Sequence, residues 1–298
     1  MTATTVTASP TTTGRGRSVT ARRHPRRAGT IAVYVVLTLI AVVYIYPFLI
    51  QVATSFKTDA EATQNALSLV PQVWTTAAYQ TLFGSSDFPL WFRNSVIVTV
   101  SVTVGRVFVD SLAGYALSRL RFVGRAVAYA ALVAVMAVPG VVLLIPKFLV
   151  INQIGIYNSF AGLIIPLIAD AAGIFIMKNF FESIPASVEE AARIDGAGTF
   201  RLWWSIVLPM ATPALITITI LAFQGSWNEL SHFIVASSDA RLFTLTKGVA
   251  QLASGGRGSG NQYPLKLAAA AVMTIPVAVL FFVFQRRIMG TGAGAVKE

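Results

Sequence analysis

Arg106, Asp110 and Asp170 are the side chains that chemistry singles out first, because each interrupts a run of apolar residues. A charge at the centre of a bilayer costs about 2.5–3.5 kcal/mol on insertion scales, so each needs a partner or water. Arg106 and Asp110 stand four residues apart, share a helix face and are expected to pair with each other. Asp170 has no such neighbour within a turn, and is expected near the outer surface, in a polar cavity or against a partner subunit. Carboxylates so placed could relay protons, neutralise a structural contact or touch a passing solute. A second cluster, Trp227, Asn228 and Glu229, closes an apolar run. Tryptophan favours membrane interfaces, so this cluster either anchors the chain or lines the path by which a solute is admitted.

Other chemistry lacks its residues. The chain has no cysteine, which leaves no thiolate for metal, redox or nucleophilic work. Its two histidines, His24 and His232, are too few for a catalytic metal site. No G-x4-G-K-[ST] loop occurs, and the run from Gly290 to Lys297 has the wrong spacing to cradle phosphates. No serine or glutamate sits in a catalytic signature, which argues against a membrane enzyme. Any nucleotide chemistry belongs to another chain.

The elements that must position these residues are membrane helices. Of 298 residues, 55% are hydrophobic and 12% charged, with a mean hydropathy of +0.69. An ordinary soluble domain carries about a quarter charged residues. A crossing helix takes about 20 mostly apolar residues, and six stretches qualify: 30–55, 94–118, 126–145, 159–177, 206–223 and 265–284. The first is too long for a cleaved leader and is expected to stay as a span. Pro47, Pro139, Pro166, Pro213 and Pro276 fall inside or beside these stretches and should kink them, as a bundle tolerates and as alternating access would use. The expected fold is therefore all-α, a polytopic bundle of six membrane helices.

The net charge of +11 would point to nucleic acid in a soluble protein, but its placement reads as topology. Arg15, Arg17, Arg22, Arg23, Arg26 and Arg27 crowd ahead of the first span in a Thr/Ser/Gly/Pro tail, 1–29, expected to be disordered. Arg119, Arg121 and Arg125, then Lys178, Arg193 and Arg201, then Arg286, Arg287 and Lys297 fall on the same side. Cationic loops are retained in the cytoplasm, so both termini are expected there, with lipid as a partner and nucleic acid not.

A polar segment, 178–205, joins the fourth and fifth stretches and is longer than a helix hairpin requires. Ser187 precedes Glu190 by three, a capping-box spacing, and Pro185 suits a helix start. Ala191 and Ala192 are strong helix formers, and Gly196 is placed to end the helix in a left-handed turn. Glu190, Ala191, Ala192, then Gly196, then Ile206, Leu208 and Pro209 match E-A-A-x3-G-x9-I-x-L-P at every fixed position. That run resembles the EAA loop of ABC importer permeases.

Neighbouring runs resemble the carbohydrate-uptake, maltose-permease-like branch of that family, and its smaller permease of a heteromeric pair. They are Ile184-Pro185, Ile194-Asp195-Gly196-Ala197, Asn94-Ser95, Ala113-Gly114-Tyr115-Ala116-Leu117, Ser226-Trp227-Asn228-Glu229 and Gly294-Ala295-Val296-Lys297. Ser231-His232, the long basic N-terminus and the terminal Glu298 depart from the pattern.

The resemblance implies a type I ABC importer permease fold over 30–288, with a cytoplasmic coupling helix and a C-terminal tail at 289–298. It implies ATPase coupling through Glu190, Ala191, Ala192, Asp195, Gly196, Ile206, Leu208 and Pro209. The implied partners are a second homologous permease, two ATP-binding-cassette subunits that hold ATP and magnesium, and an extracytoplasmic solute-binding protein in a bacterial inner membrane. No cofactor is expected on this chain. The implied cargo is a sugar or oligosaccharide. A glycerol phosphate ester or other small polar solute is the alternative, and a proton-coupled secondary transporter the alternative of a different class.

Overall fold

The computed structural model describes residues 27–84, 87–254 and 262–294, the side chains of 27, 28 and 286–294 excepted. Among the described residues the chain is helical and without strands. Three helices are long and apolar enough to cross a membrane: Gly29–Ser55, Phe88–Arg119 and Tyr263–Gln285. Three further crossings are bent pairs, which brings the spans to six when each pair counts as one. The first helix begins at Arg27 and the last runs through Gly294. Positions 27–29 and 289–294, read from sequence as tail, therefore extend helices. The rest of both tails lies outside the described residues.

Up to Pro47 the first span is a unit of its own. The second unit, from Phe48 on, is organised around the second span, Phe88–Arg119. That helix contributes to all three apolar clusters. Phe88 and Trp91 pack with Trp227, Leu245 and Ala268 at one end, Val98 and Val102 with Ile151 and Leu163 in the middle, and Tyr115 with Met177, Phe181 and Trp203 at the other. Outside these clusters, large apolar side chains such as Val104 (66% exposed) and Ile145 (73%) face outward, as lipid or a second membrane chain requires.

The bent spans differ from the straight rods that composition alone suggests, and proline is the common cause. The third breaks by 103° between Arg125–Met136 and Gly140–Gln153, because Pro139 has no N–H to continue the helix. Twelve residues rise only about 18 Å, so the expected rod over 126–145 does not exist as one helix. The fourth bends by 41° between Phe160–Leu167 and Ala171–Ser183, just after Pro166. The fifth bends by 85° between Thr199–Met210 and Thr212–Trp227, between Pro209 and Pro213. Its first arm includes a π-helical stretch, Leu202–Val207. That wider turn stands just ahead of Pro209, which cannot donate to the carbonyl a turn earlier. Ile206, Leu208 and Pro209 thus lie in the first arm of this bent span, ahead of the bend.

Candidate functional site

Between the fourth and fifth spans a nine-residue helix, Ala186–Ile194, stands on the surface. Pro185 occupies its cap position, and no side chain caps it, so the box expected between Ser187 and Glu190 does not form. The helix starts one residue before Ser187, which therefore stands inside it and not at its cap. The expected terminator is present: Gly196 has φ +81°, a left-handed turn that costs glycine little. Ala197 N–H closes the turn by donating to Ala192 O at 3.0 Å.

The two adjacent glutamates of this helix have opposite fates. Glu190 is exposed, as are Ala191, Asp195 and Gly196, while Ala192 is half-buried. Glu189 is only 5% exposed and points back into the bundle. Its Oε1 lies 3.0 Å from Arg119 Nε, and its Oε2 accepts from Tyr115 Oη at 3.3 Å. The Nε–H does not point along its contact, so the pair is held by charge more than by a directed hydrogen bond. Arg119 also donates through Nη2 to Phe181 O and Ile184 O, carbonyls in the last turn and at the cap of the fourth span. One arginine at the end of the second span thus fixes both the end of the fourth span and the helix that follows.

Sequence reasoning passed over Glu189 in favour of Glu190. The available signal was Val188 and Ala192, four apart and both turned inward, an inward stripe that Glu189 borders.

The mid-span charges are arranged differently from expectation. Arg106 and Asp110 make no ion pair with each other. Arg106 Nε donates to Leu167 O at 2.9 Å, and Asp110 Oδ1 accepts from Asp170 N–H at 3.0 Å. Both side chains therefore reach across to the break in the fourth span, where residues 168–170 leave the helix and their backbone groups need partners. Asp170 caps the second arm, its Oδ2 accepting from Gly173 N–H at 3.1 Å. The Asp110 carboxylate lies so close to Gly173 that a Cβ there would collide with it. These three residues hold a helix interruption in place, a stronger requirement on them than mutual neutralisation.

At the far end Trp227 is 2% exposed, packed inside the protein. Its indole N–H donates to Met273 O at 3.0 Å, and its ring stacks on Phe223 with centroids 5.8 Å apart. Asn228 is exposed and donates to Gln224 O at 3.0 Å. Glu229 Oε1 accepts from His232 N–H at 2.8 Å, capping the short helix Ser231–Ala236. His232 is buried, with Nε2 3.1 Å from Gly162 O. Burial, then the nearby Lys147, pulls its pKa below the ordinary 6.5, so it is neutral at pH 7. Lys247 donates to Phe233 O, Ile234 O and Ser237 O, the carbonyls at the end of the same short helix. Among the described residues no cluster of three or more His, Asp or Glu could hold a metal ion.

Known proteins are similar to this chain over most of its length. Residues 110–289 match the family described as "Binding-protein-dependent transport system inner membrane component". The inner membrane ABC transporter permease protein YcjP of Escherichia coli (strain K12) is 34% identical over 91% of this chain and 98% of its own length. The diacetylchitobiose uptake system permease protein NgcG of Streptomyces coelicolor is 33% identical over 89% of this chain and 88% of its own. A crystal structure of a bacterial ABC transporter involved in the import of the acidic polysaccharide alginate contains a chain with a TM-score of 0.79 and 27% identity. The match covers 88% of this chain and 98% of that one. A six-span all-α bundle with bent crossings and a surface helix before the fifth span, matched over most of its length by transport permeases, belongs to the binding-protein-dependent inner membrane components as an ABC importer permease subunit.

Proposed function

We propose that this permease forms half of a translocation path for a sugar or oligosaccharide, and that a separate ATPase drives it through the loop at 178–205. The observation that carries the reading is the split between Glu189 and Glu190. Glu189 ties the loop helix to the second span, while Glu190, Ala191, Asp195 and Gly196 stay on its open surface. A helix anchored on one face and bare on the other is built to be pushed. Force applied to its bare face passes through Arg119 into the second span, which packs in every cluster of the second unit. The small Ala191 permits close approach, and Glu190 offers a charge-assisted bond to a basic partner residue.

In this reading the loop and both termini are cytoplasmic. The second permease is a homologue of this chain, two ATPase subunits hold ATP and magnesium, and an extracytoplasmic binding protein delivers the cargo. A saccharide fits the uptake of diacetylchitobiose and of alginate by related systems. Commitment of Arg106 Nε to Leu167 O favours a cargo that needs no cation from the path, over a phosphate ester. Reaching an outward-facing state from a strongly preferred inward-facing one takes roughly 5.5 kcal/mol of differential binding, which nucleotide on the ATPase would supply.

The test is Glu190→Lys in the reconstituted importer. Capture of the ATPase and uptake should both fall at least about tenfold, as when a charge-assisted contact becomes a repulsion, while membrane insertion is unchanged. Capture and uptake at wild-type levels would refute the coupling role, as would labelling of position 190 from the extracytoplasmic side.

A further inference from the structure

We propose that the cleft between residues 120–124 and the loop helix binds the phosphate of an anionic phospholipid in the leaflet these residues face. The cleft measures about 580 Å³, and its walls include Arg119, Arg121, Arg125 and Arg193 against Glu189 and Glu190. Four cations thus face two carboxylates. Two of the cations are already engaged: Arg119 with Glu189, and Arg125 with Ser118 O at 3.0 Å and more loosely with Glu182 at 3.8 Å. The side chains of Arg121 and Arg193 make no hydrogen bond or ion pair among the described residues, and both residues are exposed. Two free guanidinium groups on opposite walls of one cleft are suited to a single phosphate, which each can meet with paired N–H donors.

The neighbouring loop identifies the phosphate as a lipid's. Residues 120–124 join two helices of membrane-crossing stretches, Phe88–Arg119 and Arg125–Met136, and so lie at a membrane face. Between Arg121 and Arg125 the loop presents Phe122, 45% exposed, and Val123, 103% exposed. Exposed apolar side chains between arginines fit the headgroup boundary, where they enter the acyl region and the guanidinium groups stay at phosphate depth. Basic pockets between membrane helices take anionic headgroups in this way. The ligand would bridge the loop after the second span to Arg193 on the loop helix.

The inference stands apart from the coupling reading, because lipid retention is measured without transport. The experiment is native mass spectrometry of the purified importer complex taken from bilayers of phosphatidylcholine with phosphatidylglycerol, followed by titration of phosphatidylglycerol into nanodiscs. Wild type should retain phosphatidylglycerol. Arg121→Gln with Arg193→Gln should weaken it roughly 25-fold, about fivefold for each surface cation removed. Arg121→Lys with Arg193→Lys should restore much of it. Arg201→Gln, which removes an exposed charge from the same loop but outside the cleft, should leave it unchanged. Equal retention by wild type and the double Gln variant would overturn the proposal, and so would an equal loss in Arg201→Gln. Displacement of the lipid by millimolar inorganic phosphate would overturn its lipid half by showing a site for a soluble anion.

Discussion

The charged side chains of the second span grip its neighbours at two places, and they do so by different means. Mid-span, Arg106 and Asp110 form no ion pair with each other and take hold of backbone groups at the break of the fourth span. At the loop end, Arg119 takes hold of a carboxylate as well as two carbonyls. The difference follows from what each neighbour lacks. A broken helix surrounded by lipid has orphan N–H and C=O groups with no water to satisfy them, so charged side chains are most useful as substitutes for a missing helical turn. Near the water the fourth span's end needs only its last carbonyls covered, and Arg119 has capacity left to anchor a second element. The same economy recurs outside the spans, where buried Lys57 donates to Asn65 O and Ser68 O and Glu61 accepts from Gln72 N–H and Val73 N–H. A chain with few charged residues uses its buried ones to hold irregular backbone.

The largest effect should come from the loop end. Glu189→Ala leaves Arg119 buried without its counter-charge, and removing one partner of a buried pair costs about 3–5 kcal/mol. Thermal unfolding of the purified permease should show a marked drop. Glu190→Ala, at an exposed site, should stay within about 0.5 kcal/mol of wild type. Equal destabilisation by the two would erase the distinction between anchoring and docking faces.

The mid-span clamp is next. Asp110→Ala orphans the Asp170 N–H at a cost of about 1–3 kcal/mol. Asp110→Asn keeps an acceptor oxygen there and should recover most of that loss. If Asn were as damaging as Ala, the negative charge would matter more than the backbone contact, and the contrast with the loop end would weaken.

Trp227→Phe should cost about 1 kcal/mol, the worth of its hydrogen bond to Met273 O, with sugar uptake largely kept. A selective loss of uptake at unchanged stability would move Trp227 from brace to path.

The smallest effect is a pH dependence centred on His232. Its folded pKa lies below the ordinary 6.5, so as pH falls below about 6.5 the unfolded chain takes up the proton first. Stability is thus fully present above that pH and declines as pH falls towards the folded value. Lys147 and Glu229 act on the same ring with opposite signs. Replacing His232 by Gln should flatten this part of the unfolding-temperature profile, and a profile unchanged by that substitution would show that His232 does not set it.

Hydrophobic run length alone determined the six-span all-α class, because lipid admits few other solutions for an apolar chain. The spacing from Glu190 to Pro209 likewise determined where the loop helix lies and that Gly196 ends it. Tertiary structure alone decided how the polar residues are used. A four-residue spacing puts Arg106 and Asp110 on one helix face, but it says nothing of the broken helix packed against that face. Two adjacent glutamates look alike in a sequence, and only the position of Arg119, 70 residues earlier in the chain, makes one an anchor and leaves the other free. The bends at Pro139 and Pro213 were legible as kinks but not as turns of 103° and 85°. Proline removes a hydrogen bond locally, whereas the angle the chain then takes is set by whatever packs against both arms.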